Sequence, residues 1–166
     1  QNLNPEKGTT KTIGAVIQPS FLPGFSLSVD YFDIKLRQAI QGFGADAILN
    51  ECGASTAGNI SPACALIKRD PAGSLWLTSN GYVVDTPTNV GGLRTSGIEV
   101  NGNYSRMVDS IGTVSFNLVG TLLDKYETDN GLTEVYDCKG LYGPTCGGPA
   151  PKWRHKARIS LNTLSD

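Results

Sequence analysis

The stretch QPSFLPGFSLSVDYFDI, residues 18–34, decides the fold. From Phe25 the chain alternates, with Phe25, Leu27, Val29 and Tyr31 on one face and Ser26, Ser28 and Asp30 on the other. That period of two is a strand with one apolar and one polar side. Pro19, Pro23 and Gly24 ahead of it fit poorly in a sheet ladder, so the chain is predicted to reverse there and the strand to begin at Phe25. Aromatics at the two ends of the apolar face, with aliphatics between, form the pattern of a strand crossing a bilayer. Past Tyr31 the phase slips: Phe32, Ile34 and Leu36 now alternate with Asp33, Lys35 and Arg37. The slip predicts either a bulge or the exit of the strand from the apolar zone.

Working outward, Thr9 to Gln18 reads as the preceding strand of a hairpin. Ile13, Ala15 and Ile17 share one face, with Lys11 at its outer end, and Thr10, Thr12, Gly14 and Gln18 share the other. Alternation returns at Thr95, placing Ile98, Val100, Gly102 and Tyr104 opposite Glu99, Asn101 and Asn103. After a short turn at Arg106 to Ser110, a strand from Ile111 to Tyr126 sets Val114, Phe116, Leu118, Gly120 and Leu122 against Thr113, Ser115, Asn117 and Thr121. A last strand starts at Trp153, with Trp153, Ala157, Ile159 and Leu161 on one face and Arg154, Lys156 and Arg158 on the other. Two long excursions separate these strands. The first, 37–88, is expected to hold a short helix near 44–51, a turn at Asp70 to Gly73 between two short strands, and a further short strand within Gly81 to Thr86. The second, 127–152, is rich in Gly, Pro, Asp and Tyr.

Short and long connections therefore alternate, as in outer-membrane barrels with short periplasmic turns and long extracellular loops. On that assignment Phe25 and Tyr104 fall at one rim, and Tyr31, Tyr126 and Trp153 at the other, as two girdles of lipid-interface aromatics. The expected fold is all-β: an antiparallel transmembrane β-barrel fragment of about five long strands. Five strands close no barrel wide enough to hold anything, so a fragment of a larger barrel is implied. The alternative is a soluble β-sandwich, a secreted ligand-binding module, which alternates as well but has no reason to sort its loops by length onto two ends.

Composition agrees. Charged residues make up 17% of the 166, and there are 20 glycines, against roughly 25% charge in soluble domains and about 7% glycine. The net charge of −1 argues against a nucleic-acid partner, which needs a basic stripe. No apolar run is long enough for a membrane-spanning helix, which leaves a barrel untouched. The first eight residues lack the basic start and apolar middle of a secretory leader, so the chain reads as either cytosolic or an internal piece of something longer.

Four segments in order resemble one family. NLNPEKGTTKTIGAV at 2–16 is similar to the barrel motif of TonB-dependent outer-membrane receptors, in a shortened form with a single Pro5-Glu6. FLPGFSLSVDYFDIK at 21–35 and NVGGLRTSGIEVNGNY at 89–104 resemble later strands of that family. PKWRHKAR at 151–158 resembles the strand that follows a cysteine-bearing loop. The resemblance implies a 22-stranded barrel in the bacterial outer membrane, a plug domain, and uptake of a scarce large solute, driven by the TonB complex acting through an N-terminal region. It further implies that 1–166 is one partial barrel domain without plug or TonB box. On the same resemblance the family's terminal strand ending in an aromatic is expected to lie outside this stretch, which runs to Leu164-Ser165-Asp166.

Cys52 and Cys64 lie in the first long loop, Cys138 and Cys146 in the second. Four cysteines allow three connectivities, and pairing within each loop is expected because the strands between would hold the loops apart. Zinc is the competing reading. With His155 the sole histidine and no C-x-x-C spacing, no metal ligands are assigned. No cofactor or catalytic residue is expected either: His155 beside Trp153 suits a rim position better than a general base, and Asp30 and Glu99 sit on a polar face where scattered charges are ordinary. The candidate ligand path is Asp30, Glu99, Asn101, Asn103, Asn117, Arg154, Lys156 and Arg158, whose basic members would favour an anionic solute such as a ferric siderophore. Trp76, Tyr136 and Tyr142 in the loops would suit stacking on a sugar, so an oligosaccharide is the other ligand class.

Overall fold

A computed structural model describes residues 3–109, 111–143 and 145–163. Asn2 of the opening motif, Ser110 of the predicted turn and the closing residues 164–166 lie outside them. The long strands are β1 (Lys7–Ile17) and β2 (Phe25–Arg37). Then come β3 (Ile40–Gln41), helix α1 (Ala45–Gly53), a 3-10 turn at Pro62–Leu66, β4 (Ile67–Lys68), β5 (Tyr82–Val83) and β6 (Thr88–Asn89). Finally β7 (Gly92–Val108), β8 (Gly112–Asp129), β9 (Tyr136–Asp137) and β10 (Trp153–Thr163) complete the chain. The sheet order is β1-β2-β7-β8-β10, with β9 on β8, so the long strands pair in sequence order and the sheet is open.

The chain divides into two compact units. One holds Thr9–Lys35, Arg94–Glu127 and Asp137–Asp166, most of the long strands. The β1–β2 hairpin turns at Pro19–Leu22, where the Leu22 N–H donates to the Pro19 carbonyl at 3.1 Å. Gly24 follows at φ 84, and a side chain there would collide with the Ser105 carbonyl oxygen. β8 and β10 are antiparallel, in a register that sets Leu118 against Ala157 and Phe116 against Ile159 on one face, and Asn117 against Arg158 and Thr121 against Arg154 on the other. The apolar face is bare: Ile13 is 74% exposed and Ile159 76%. Neighbouring polar side chains on the other face bond across strands, the Gln18 amide donating to Ser26 Oγ at 3.2 Å and Ser105 Oγ lying 3.0 Å from Ser115 Oγ.

β2 runs unbroken through the phase slip. Of the two expectations, exit from the apolar zone fits. The face that carries Phe25, Leu27, Val29 and Tyr31 continues as Asp33, Lys35 and Arg37, and Asp33 there accepts from Arg94 Nη2 at 2.8 Å.

The other unit holds Gln1–Gly8, Leu36–Leu93 and Thr128–Tyr136. Its small core is Ile48 on α1 and Ala63 in the 3-10 turn, tied by the Cys52–Cys64 disulfide. The helix expected near 44–51 forms over Ala45–Gly53, and the N–H of its N-cap, Gly44, donates to both oxygens of Asp85 at 3.2 Å. The opening motif has a visible task here. Glu6 Oε1 accepts from the Ile40 N–H at 2.7 Å, and the Asn89 side chain exchanges two hydrogen bonds with the Asn4 backbone, at 2.6 and 2.7 Å. The turn at Asp70 forms, but β4 pairs with β5 at Tyr82–Val83 and not with the residues directly after the turn. Ser74 explains this: its hydroxyl takes the Trp76 and Leu77 N–H groups, which a ladder would need.

Candidate functional site

The part of the second long loop from Asp137 to Lys152 is folded against β8. The Tyr126 carbonyl accepts from the Cys138 N–H at 2.8 Å, and the Leu123 N–H donates to the Lys152 carbonyl at 2.8 Å, so both ends of the segment 138–152 are fastened to one strand. Within it, the Gly140 N–H donates to the Ala150 carbonyl at 2.6 Å and the Ala150 N–H to the Leu141 carbonyl at 3.1 Å. The Cys138–Cys146 disulfide crosses the middle, with Cys138 fully buried. Asp137 anchors the entry. Its Oδ1 accepts from the Tyr126 N–H at 3.2 Å and the Lys139 N–H at 3.0 Å. Partial burial pushes this carboxyl up, yet the two N–H donors and the charges of Lys139 and Lys125 outweigh it and hold the group below its ordinary range.

Between this loop and the polar face of the strands lies a cavity of 560 Å³. Its floor is Thr12, Phe32, Ile34, Thr95, Glu99 and Thr121, its sides are Leu123, Tyr126 and Arg154, and its roof is Cys146 with Gly148–Pro151. The slip past Tyr31 is what puts Phe32 and Ile34 on this floor, because an unbroken strand carries the new apolar residues onto the formerly polar face. The Phe32 ring sits over Gly97, within 3.0 Å of where a Cβ would be. The volume is in the range of pockets that enclose drug-sized molecules, and apolar walls with a few polar groups are the usual lining.

A model of the family described as TonB dependent receptor-like, beta-barrel matches residues 1–162. The chain belongs to that family. TonB-dependent receptors are bacterial outer-membrane proteins of a receptor and transporter family, not an enzymatic one, and the open antiparallel sheet here is a fragment of the receptor barrel. No curated protein and no solved structure matches the chain.

Within the receptor barrel the candidate ligand-path residues separate into groups. Glu99 and Arg154 both line the cavity. Asp30 covers Gly14. Asn117 donates to Asn103, whose own amide donates to Asn101 at 3.2 Å, so the three amides form a ladder across β7 and β8. Lys156 and Arg158 are exposed on β10 opposite Val119 and Asn117, and like Arg154 they form no ion pair among the described residues. Of the aromatics assigned to the rims, Phe25 and Tyr104 are half-buried, Tyr31 is exposed, and Tyr126 lines the cavity. Trp153 lies over Gly120 and donates from Nε1 to His155 Nδ1 at 2.9 Å. Of the loop aromatics, Tyr136 and Tyr142 are exposed outside the cavity, and Trp76 is exposed in the first long loop. Both expected disulfides are present. Sequence reasoning missed the cavity roof, Gly148–Pro151. The only available signal was the pair of cysteines that closes the loop.

Proposed function

We propose that this receptor takes up a scarce solute too large for porins, a ferric siderophore or a solute of similar size, with energy supplied through the TonB complex acting on a region N-terminal to the barrel. The reading has the long loops on the extracellular side and the polar face lining the path. The observation that carries it is the cavity at that face, lined by Arg154, Phe32 and Tyr126 together with Glu99, with Lys156 and Arg158 following Arg154 at alternate positions of β10. A cationic stripe with no ion-paired carboxylate is available to an anionic solute, and two aromatic rings suit the apolar body of a chelator.

The test uses the full receptor in an outer-membrane host lacking other receptors, with uptake of a panel of radiolabelled ferric siderophores as the readout. Uptake of at least one, lost without TonB and reduced about tenfold or more by Arg154→Glu at unchanged receptor level, is the expected result. Uptake that continues without TonB would overturn the proposal in favour of a passive channel, and the absence of any siderophore uptake would move the ligand to another class.

A further inference from the structure

The charges on the polar face are sorted by sign. The acids, Asp30 on β2 and Glu99 on β7, lie to one side, and the bases, Arg154, Lys156 and Arg158 on β10, to the other. Between them β8 offers neutral partners, with Thr121, Val119 and Asn117 paired to the three bases in turn. Contacts between strands fix the row on which the signs face each other. Asn117 bonds Asn103 and Ser96 bonds Asp124 across β7 and β8, a register that sets Glu99 opposite Thr121. The Ser105 N–H donates to the Gly24 carbonyl and the Phe32 ring sits over Gly97, a register that sets Asp30 opposite Glu99. Asp30, Glu99, Thr121 and Arg154 thus form one row across β2, β7, β8 and β10. With neighbouring strands about 4.8 Å apart, Glu99 and Arg154 spring from backbones about 10 Å apart.

Neither sign is neutralised locally. Asp30, Glu99 and Arg154 form no ion pair among the described residues. Like charges directly opposite each other destabilise a pair of strands, and a cation seated beside Asp30 and Glu99 relieves that repulsion. Glu99 and Arg154 both line the 560 Å³ cavity, with Phe32 and Tyr126. A solute carrying only an anion gains at Arg154 and loses at Glu99, in a space where water screens less than in bulk. A solute carrying only a cation meets the reverse. One that carries both, on a body reaching across β8, gains at each end. We propose that the cavity selects a zwitterionic solute, with its anionic group at Arg154 and a protonated amine at Glu99 and Asp30. The proposal rests on the uptake reading above and narrows its ligand from an anion to a body bearing both charges.

Ferric trishydroxamates of nearly one core serve as probes. Ferrioxamine G has a free amine at one end and a carboxylate at the other, its N-acetyl derivative the carboxylate alone, ferrioxamine B the amine alone, and the macrocyclic ferrioxamine E neither. Each is titrated by calorimetry into the full receptor in detergent micelles. Ferrioxamine G binds about tenfold or more tighter than each of the others. Glu99→Gln removes its advantage over the N-acetyl derivative and keeps that over ferrioxamine B, whereas Arg154→Gln does the opposite. The comparison of probes on the native receptor needs no variant to fold. No binding of ferrioxamine G, equal or tighter binding of the N-acetyl derivative or of ferrioxamine B, or an advantage that survives both substitutions overturns the proposal. TonB-dependent uptake of a wholly anionic siderophore in preference to ferrioxamine G would overturn it while the uptake reading stands, and uptake that continues without TonB would overturn that reading whichever probe binds.

Discussion

Two glycines on neighbouring strands show how differently the same missing Cβ is used. At Gly97 the added carbon would strike the Leu122 carbonyl oxygen of the paired strand and press on the Phe32 ring. Neither can move far, since the oxygen belongs to the backbone and the ring is part of the cavity floor. At Gly120 the obstacle is the outer edge of the Trp153 ring, the free end of a side chain, and moving it gives up one hydrogen bond to His155. Gly97→Ala is therefore expected to destabilise the receptor by about 1–3 kcal/mol, the usual range for overpacking. Gly120→Ala is expected to cost about 0.5–1.5 kcal/mol, the worth of one hydrogen bond. Urea unfolding of the two variants in micelles measures both, and a reversed order would mean that the β7–β8 pairing can relax around position 97. Sequence alone separates these two residues poorly. Both are glycines in alternating strands, and what distinguishes them is whether the opposing atom is backbone or a ring tip.

The part of the second loop from Asp137 to Lys152 behaves as one element, and its pieces predict how it opens. Asp137 has a folded-state pKa held below its ordinary value, so its contribution to loop order is complete above the normal carboxylate range and disappears as pH falls through the depressed value. Hydrogen exchange at the Tyr126 and Lys139 amides should be slow and flat from pH 7 to about 5, once corrected for intrinsic rates, and should gain protection loss only below about pH 4. Asp137→Asn keeps an acceptor oxygen and should preserve most of that protection, whereas Asp137→Ala should lose it at every pH. Replacing both Cys138 and Cys146 by serine removes a constraint worth about 2–3 kcal/mol for so short a loop. The Cys146–Pro151 roof should then become accessible to protease while β8 stays protected. If the roof stays protected in the serine variant, the Gly140–Ala150 bonds alone hold it. This element also marks the limit of what the sequence discloses. The long strands are legible from period-two alternation, and the disulfides from loop membership. β3, β4, β5 and β6 are two residues each, too short to show any period, and the cavity roof depends on hydrogen bonds between Gly140, Leu141 and Ala150 that no local pattern encodes. Phe32 and Ile34 were visible as a slip, but only the unbroken strand shows that the slip transfers them to the cavity floor.

At the scale of the molecule, surface is the telling quantity. The sheet leaves its apolar face uncovered, with Ile13 74% and Ile159 76% exposed, which water alone does not reward. A membrane barrel does, because lipid covers that face and the interior of the barrel the polar one. Adjacent positions on β8 test this with the least change elsewhere. Leu118, midway along the apolar positions Val114 to Leu122, pairs with Ala157, and Asn117 beside it pairs with Arg158 on the opposite face. Leu118→Arg places a charge at the centre of the lipid-facing band and should cost about 2–4 kcal/mol, while Asn117→Arg meets the polar interior and costs much less. The natural readout is the folded fraction in vesicles over a urea series, since a mobility shift on heating reports the intact barrel. Charges tolerated at 118 and rejected at 117 would turn the sheet inside out and make the apolar face the one that packs against protein. Equal tolerance at both would place β8 beyond the bilayer, and the apolar band would then have to be covered by some other surface.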